Sequence, residues 1–541
     1  MIADLVNVSA RQRRGATLEL MRLSTIVAVF ALLVCRGSAS AMEIGGVVAA
    51  RERLTASYAN RLAELAVWCA GQNLKAEAAA TRAWRVPRQA DRLYLWVLPT
   101  EGMNDALASQ DKRWRDRFAA LRREQADALY ELVKQAVDEH RSTLAAELLV
   151  EVVWENPDHD EARKLLGYVK DGDIWRTPFE VRQVAAEKIW HPKFGWLPQA
   201  HAARYEAGER YYRGRWMSAS EESRLRSDLR RGWKVETEHY LVTTNHSLEE
   251  GVRLASQLER LYGFWQNVFQ RYSAGPDDLA RRLAGGAAKR MPTKKHNVMQ
   301  YRSRSEYNDA LRKAQPKIEI TLGIYFDTTQ TAHFFAGKEQ ETGTIYHEAT
   351  HQLFQETRPT VRHVGAEQNF WIVEAIACYM ESLKEHDGYH TLGGLDEGRL
   401  PAARQRLLED GLYIPLAGLI QLGTADLQSS PDIGMLYSQS SGLAAFFMQY
   451  DGGRYRDALV DYLTAVYTGR DKADTLARLC GESTVTLDGQ YRRFLELLAT
   501  RDPGREVSKV RSEKSEVKSQ RSRSETLRPA LPRPSPLASR P

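Results

Sequence analysis

Apolar residues recur at helical spacing from Arg51 to about Tyr168: Leu62, Leu65 and Ala66, then Leu129, Leu132 and Val133, then Leu144, Leu148 and Val152. Pro and Gly are scarce there, so little interrupts the helices. Leu144 to Trp154, the turn Asn156-Pro157-Asp158-His159 and a second helix from Glu161 to Tyr168 read either as one tetratricopeptide-like hairpin or as part of an ordinary helical bundle, since no clear repeat of roughly 34 residues accompanies them. Trp175, Trp190 and Trp196, with Gly172, Pro192 and Gly195 among them, predict a non-helical connector ending near residue 200, and 201–232 reads as a linker. The pattern changes at Trp233. His239 to Thr244 is a β-branched and aromatic strand, and Leu248 to Phe269 is a long amphipathic helix. Ala280 to Lys295 reads as an exposed loop. Asn297 to Tyr301, Leu322 to Phe326 and Ala332 to Phe335 follow as short strands, and helices then dominate to Ala499.

The chain of 541 residues allows about three domains, and 43% hydrophobic with 27% charged residues places most of it in the globular class. The net charge of +6 sits in residues 501–541, which hold 11 Lys/Arg against 5 Asp/Glu. The rest of the chain is therefore neutral, and no nucleic-acid-binding body is expected. That tail has Ser, Arg, Lys and Pro and no aromatic residue, so it reads as disordered.

The N-terminus reads as an export signal over 1–41: Met21-Arg22, an apolar run from Thr25 to Val34, and the small-residue site Ala39-Ser40-Ala41. Translation starts either at Met1 or at Met21, and both versions predict an exported, periplasmic, cell-envelope or extracellular protein. Lipidation at Cys35 is disfavoured by the bulky Val34 before it. The mature chain would keep Cys69, Cys378 and Cys480, an odd number that implies no disulfide framework. No other stretch reaches the roughly 18 apolar residues of a transmembrane helix.

Chemistry concentrates at His347-Glu348-Ala349-Thr350-His351, an HExxH flanked by Ile345, Leu353 and Phe354. Two His at i and i+4 share a helix face and can converge on one Zn²⁺, with Glu348 beside them placed to take a proton from water. Chance is a poor rival: with 13 His, and with all 70 acidic residues counted as Glu, roughly 0.04 such matches are expected. A catalytic zinc needs a third ligand and an open position. A metzincin would have Gly and His where Phe354 and Thr357 stand. Glu374, 23 residues after His351, lies inside the apolar run Phe370 to Glu381, where a carboxylate is costly to bury unless it is paired or binds a metal. His333, His363, His386 and His390 lack ligand spacing and read as surface or capping residues.

HExxH followed by Trp371-x-x-Glu374-x-x-Ala377-x-Tyr379-x-Glu381 resembles the gluzincins, the thermolysin- and aminopeptidase-like zinc peptidases, and most nearly their peptidase-MA-like, exported families. The resemblance covers about Trp233 to Ala499. It implies His347, His351 and Glu374 as ligands of one Zn²⁺ and Glu348 as general base; position 375 departs from the usual Gly. Gly323 to Phe326 and Thr331 to Phe335 look like the family's edge strand and the next one, which an extended substrate could join by β-augmentation; an ordinary buried hairpin is the alternative. Tyr437, 63 residues after Glu374, stands where the aminopeptidase branch has a tyrosine, and is either an oxyanion stabiliser or a packing residue. No Gly-x-Met-Glu-Asn stretch precedes His347, which favours endopeptidase action.

The expected architecture is α+β and mostly helical: a helical N-terminal domain with its connector over 42–200, the linker, and a thermolysin- or aminopeptidase-like zincin domain over 233–500. The expected activity is hydrolysis of a peptide or protein substrate, with a protein partner possible at the N-terminal helical domain. Two rivals stand: an inactive metal-binding scaffold, and an envelope-associated binding protein.

Overall fold

The computed structural model describes residues 46–98, 111–287 and 294–499, except positions 85, 87, 387 and 395. The signal-like segment 1–41 and the tail 501–541 lie outside the described residues, as do 288–293 of the loop expected over 280–295, whose first residues instead belong to the short helix Asp278–Leu283. Backbone contacts divide the chain into two units, Met1–Tyr58 and Ala59–Pro541. The first is described only from residue 46, as the opening turns of the helix Gly46–Gly71. The sheets, the core and the site belong to the second, which is α+β with helices predominating. Among the described residues no helix is long and apolar enough to cross a membrane.

In the N-terminal half the strand β1 (Arg92–Trp96) is followed by two long helices, Lys112–Asp138 and Ser142–Glu155, which pack on each other. The main helical pair is therefore formed by these two. The segment expected as its second helix contributes only the six residues Asp160–Leu165. Nearly all of Ser142–Glu155 is buried, its acidic stripe Glu147, Glu151 and Glu155 included, because it also packs against the helices Leu248–Val268, Gln270–Ser273 and Arg456–Tyr467.

What was expected as a connector and a linker is three successive β-hairpins, each followed by a short helix. They are β2 (Val169–Asp171) with β3 (Ile174–Arg176), β4 (Lys188–His191) with β5 (Gly195–Pro198), and β6 (Glu209–Tyr212) with β7 (Arg215–Ser218). The helices are Pro178–Ala185, Ala202–Glu206 and Ala219–Leu225. Trp175, Trp196 and Trp216 take equivalent places in the second strand of each hairpin. Thr177 and Ser218 cap the first and third helices through Glu180 N–H and Glu221 N–H. The stretch 201–232 is thus folded, and closes with a 3₁₀ turn at Leu229–Arg231.

A five-stranded mixed sheet follows. Its strands are β8 (Trp233–Glu236), β9 (Tyr240–Thr244), β10 (His296–Tyr301), β11 (Ile324–Phe326) and β12 (Thr331–Phe335), in the order β11-β12-β10-β9-β8. β9, β10 and β12 are parallel, while β8 and β11 run antiparallel at the two edges. Side chains alternate along these strands: Val242, Val298, Ala332 and Phe334 enter the large core, whereas Tyr301 and Phe335 pack on the other face with Tyr307, Leu311 and Ile318. The helix Leu248–Val268, capped by Ser247, buries Leu254, Leu258, Leu261 and Trp265 in the large core. The same core holds Ile345, Ala349 and Leu353 of the helix Thr342–Glu356, and Trp371, Ile372, Ala375 and Ile376 of the helix Phe370–Met380.

Three further strands stand where helices were expected, β1 among them in the stretch Arg51 to Tyr168. β13 (Lys384–Glu385) and β14 (Tyr389–Gly393) interrupt the helical C-terminal half, and β14 pairs antiparallel with β1 from Arg92↔Gly393 to Trp96↔Tyr389. The helical segment and the expected zincin domain therefore share a sheet. They also share a buried ion pair, Arg456 with Glu147 at 2.7 Å. His390 sits in β14 at 3% exposure, and His333 is largely buried in β12, so neither is the surface or capping residue expected.

Candidate metal centre

Helical spacing puts His347, Glu348 and His351 on one stretch of the helix Thr342–Glu356. The helix Phe370–Met380, packed against it, supplies Glu374 at 5% exposure. The structure brings the three expected ligands together. His347 Nε2 and His351 Nε2 are 3.1 Å apart, and Glu374 Oε2 lies 3.4 Å from the first and 3.7 Å from the second. They form a group able to hold a metal ion, with a point about 2 Å from all three atoms, the usual reach of a nitrogen or carboxylate ligand.

Electrostatics agree with a cation at that point. Burial opposes charge on His347, yet hydrogen bonding to Cys378, Glu374 and Glu381 holds its imidazole well above the ordinary value. Burial likewise raises the Glu374 carboxyl, but His351 and His347 outweigh it and hold the group well below the usual carboxylate range. Negative neighbours thus favour positive charge at this point, and a metal ion bound there would take the place of the proton on His347 Nε2.

A second group, His347, Cys378 and Glu381, uses the other edge of the same imidazole. There His347 Nδ1 lies 2.8 Å from Glu381 Oε1 and 4.0 Å from the buried Cys378 sulfur. Both Glu381 oxygens are already engaged, Arg399 donating to them at 2.9 and 3.1 Å. This edge therefore serves to orient the ring: with Nδ1–H donating to Glu381, the Nε2 lone pair is left facing His351 and Glu374.

Glu348 points instead at the sheet edge. The Tyr325 backbone N–H of β11 donates to Glu348 Oε2 at 2.8 Å. Residues one and two turns further along that helix face the same way. Gln352 donates to the Asn297 carbonyl at 3.0 Å, and buried Glu356 accepts from the Tyr325 hydroxyl at 3.1 Å and pairs with His296 at 2.9 Å. The strand that holds Glu348 is itself pinned to the helix bearing it. Sequence reasoning missed Gln352, Glu356 and His296, although Glu348-x₃-Gln352-x₃-Glu356 is a polar stripe at helical spacing.

Tyr437 lies in the first turns of the helix Ile433–Gly453, which packs on Phe370–Met380. Burial raises its phenol above the ordinary range, with the negative charges of Glu374 and Glu348 adding to the effect, so it stands in the field of the site and stays protonated at neutral pH. No family model matches the chain, and no curated protein does.

Proposed function

We propose that this chain is a zinc-dependent peptidase of the gluzincin type, exported and acting on peptides or proteins, with endopeptidase action favoured. The observation that carries the reading is the triangle of His347 Nε2, His351 Nε2 and Glu374 Oε2 beside a carboxylate, Glu348, that is not part of it. Two imidazoles and one carboxylate are the donor set of a catalytic zinc site, and ligands about 2.0–2.1 Å from a tetrahedral ion stand at separations like those seen. Zinc bound there would supply a Lewis acid for the scissile carbonyl and lower the pKa of the attacking water.

The chain's own groups do the rest. Glu348 accepts the proton of the attacking water and delivers it to the leaving amine, with the Tyr325 N–H fixing the carboxylate. Tyr437, protonated, donates a hydrogen bond where the carbonyl oxygen gains charge. β11 lies at the edge of the sheet, and an extended peptide would align along it beside Glu348.

The test is one preparation assayed with and without chelator. The parent should carry one zinc per chain and cleave a peptide library, losing cleavage to the chelator and regaining it with zinc. Glu348→Gln should keep the metal and lose roughly 10²–10⁴-fold in rate. Parental cleavage by Glu348→Gln would sink the mechanism, and a metal-free parent would sink the reading.

A further inference from the structure

Arg399 reaches the site from outside the two ligand-bearing helices. It is the residue just before the helix Leu400–Leu408, and it follows Gly398, whose φ of +56° favours glycine. A Cβ at Gly398 would also lie 3.2 Å from the side chain of Ser382, immediately after Glu381. The absence of that Cβ lets the loop lie on the end of the Glu374 helix and deliver the guanidinium to Glu381. There Arg399 Nε donates to Oε2 and Nη2 to Oε1, at 2.9 and 3.1 Å, a two-point fork that a lysine cannot reproduce. Its other side lies against the Tyr437 ring, 5.6 Å from the ring centre. One guanidinium thus touches both the carboxylate that orients His347 and the tyrosine.

We propose that Arg399 is a positioning residue for the reaction: through Glu381 it fixes the His347 ring so that Nε2 faces the ion, and through its stacking it holds the Tyr437 phenol in place. This rests on the zinc-peptidase reading above. Metal retention and turnover are then coupled through a side chain that touches neither metal nor substrate. Arg399 acts on the metal only by way of Glu381, so the two residues must behave as one unit.

The experiment measures zinc affinity by competition with a chelator, and kcat and KM at saturating zinc. The proteins are the parent, Glu381→Gln, Arg399→Met, Arg399→Lys, and the double variant Arg399→Met with Glu381→Gln. Outer partners of ligating histidines typically govern about 10–100-fold in metal affinity. Glu381→Gln and Arg399→Met should each fall by about that much, and the double variant should bind zinc no more weakly than Glu381→Gln alone. Arg399→Met should lower kcat with KM little changed, and in a Tyr437→Phe background it should lower kcat much less. Arg399→Lys keeps the charge, and is the variant to rely on where Arg399→Met does not fold; it should recover only part of the zinc affinity.

Additive zinc losses in the double variant would overturn the proposal. So would parental affinity and kcat in Arg399→Lys. A parent that takes up no zinc overturns the peptidase reading and this inference with it, whereas a parent that binds zinc tightly, matched by its Arg399 variants, overturns the inference alone.

Discussion

A carboxylate that must move a proton cannot also be spent on a metal, and the proposed mechanism assigns the two tasks to different residues, Glu348 and Glu374. Glu374, 5% exposed and facing two imidazoles, would leave a hole in the proposed ligand set when shortened. Glu374→Ala should therefore strip most of the zinc, read by elemental analysis of purified protein; full zinc in both that variant and His347→Ala would remove the ligand assignment. Tyr437 separates differently. Its ring packs against the core and lies beside Arg399, so Tyr437→Phe keeps the packing and deletes one hydroxyl. If that hydroxyl meets the developing oxyanion, kcat should fall about 10²–10³-fold with substrate affinity little altered. An unchanged kcat would return Tyr437 to a packing role.

The helices that carry His347 and Glu374 meet correctly only if the second begins at the right place, and Asn369 sets that place. It holds a left-handed backbone at φ 61° immediately before Phe370, donates from its backbone N–H to the Ile420 carbonyl at 2.8 Å, and donates from its side chain to Asp471 at 2.6 Å. The Tyr462 hydroxyl donates back to its side-chain oxygen. Asn369→Gly keeps the backbone and loses these side-chain bonds, at about 1–3 kcal/mol. Asn369→Ala adds the left-handed cost of roughly 1–2 kcal/mol. Urea unfolding should therefore rank parent, Gly and Ala in that order, and equal midpoints for Gly and Ala would discard the backbone argument. Elements of this length were legible when their periodicity was long: Leu248 to Phe269 reads as a helix and is one, and HExxH could only be productive on a helix. Short ones were not. Arg92 to Trp96 is five residues with too little alternation to tell a strand from a helix segment. The three hairpins repeat at about 20 residues, but only their tryptophans and capping Thr177 and Ser218 carry the period. Arg399 could not be found from spacing at all, since only the fold brings it to Glu381.

At the scale of the molecule, stability should depend on acidity through His333. Burial pushes its imidazole down to about 4, and the Tyr301 hydroxyl lies within hydrogen-bonding distance of its Nδ1, at 3.1 Å. Below pH 6.5 the unfolded chain binds a proton there that the folded chain refuses, so this contribution falls as pH drops from 6.5 toward 4 and is constant above. At pH 5 the loss is about 2 kcal/mol. His333→Gln should flatten the fall in Tm between pH 7 and pH 5, and a fall as steep as the parent's would place the titration elsewhere. The sheet that joins β1 to β14 has a consequence in time rather than energy. Tyr94 pairs with Thr391, nearly 300 positions later, and at about 5–20 residues per second the ribosome needs roughly 15–60 s to make that stretch. For that interval Leu93 and Leu95, both buried in the finished core, have no partner strand. The N-terminal half therefore waits, open at that edge and exposed to wrong pairings, until synthesis has passed Gly393.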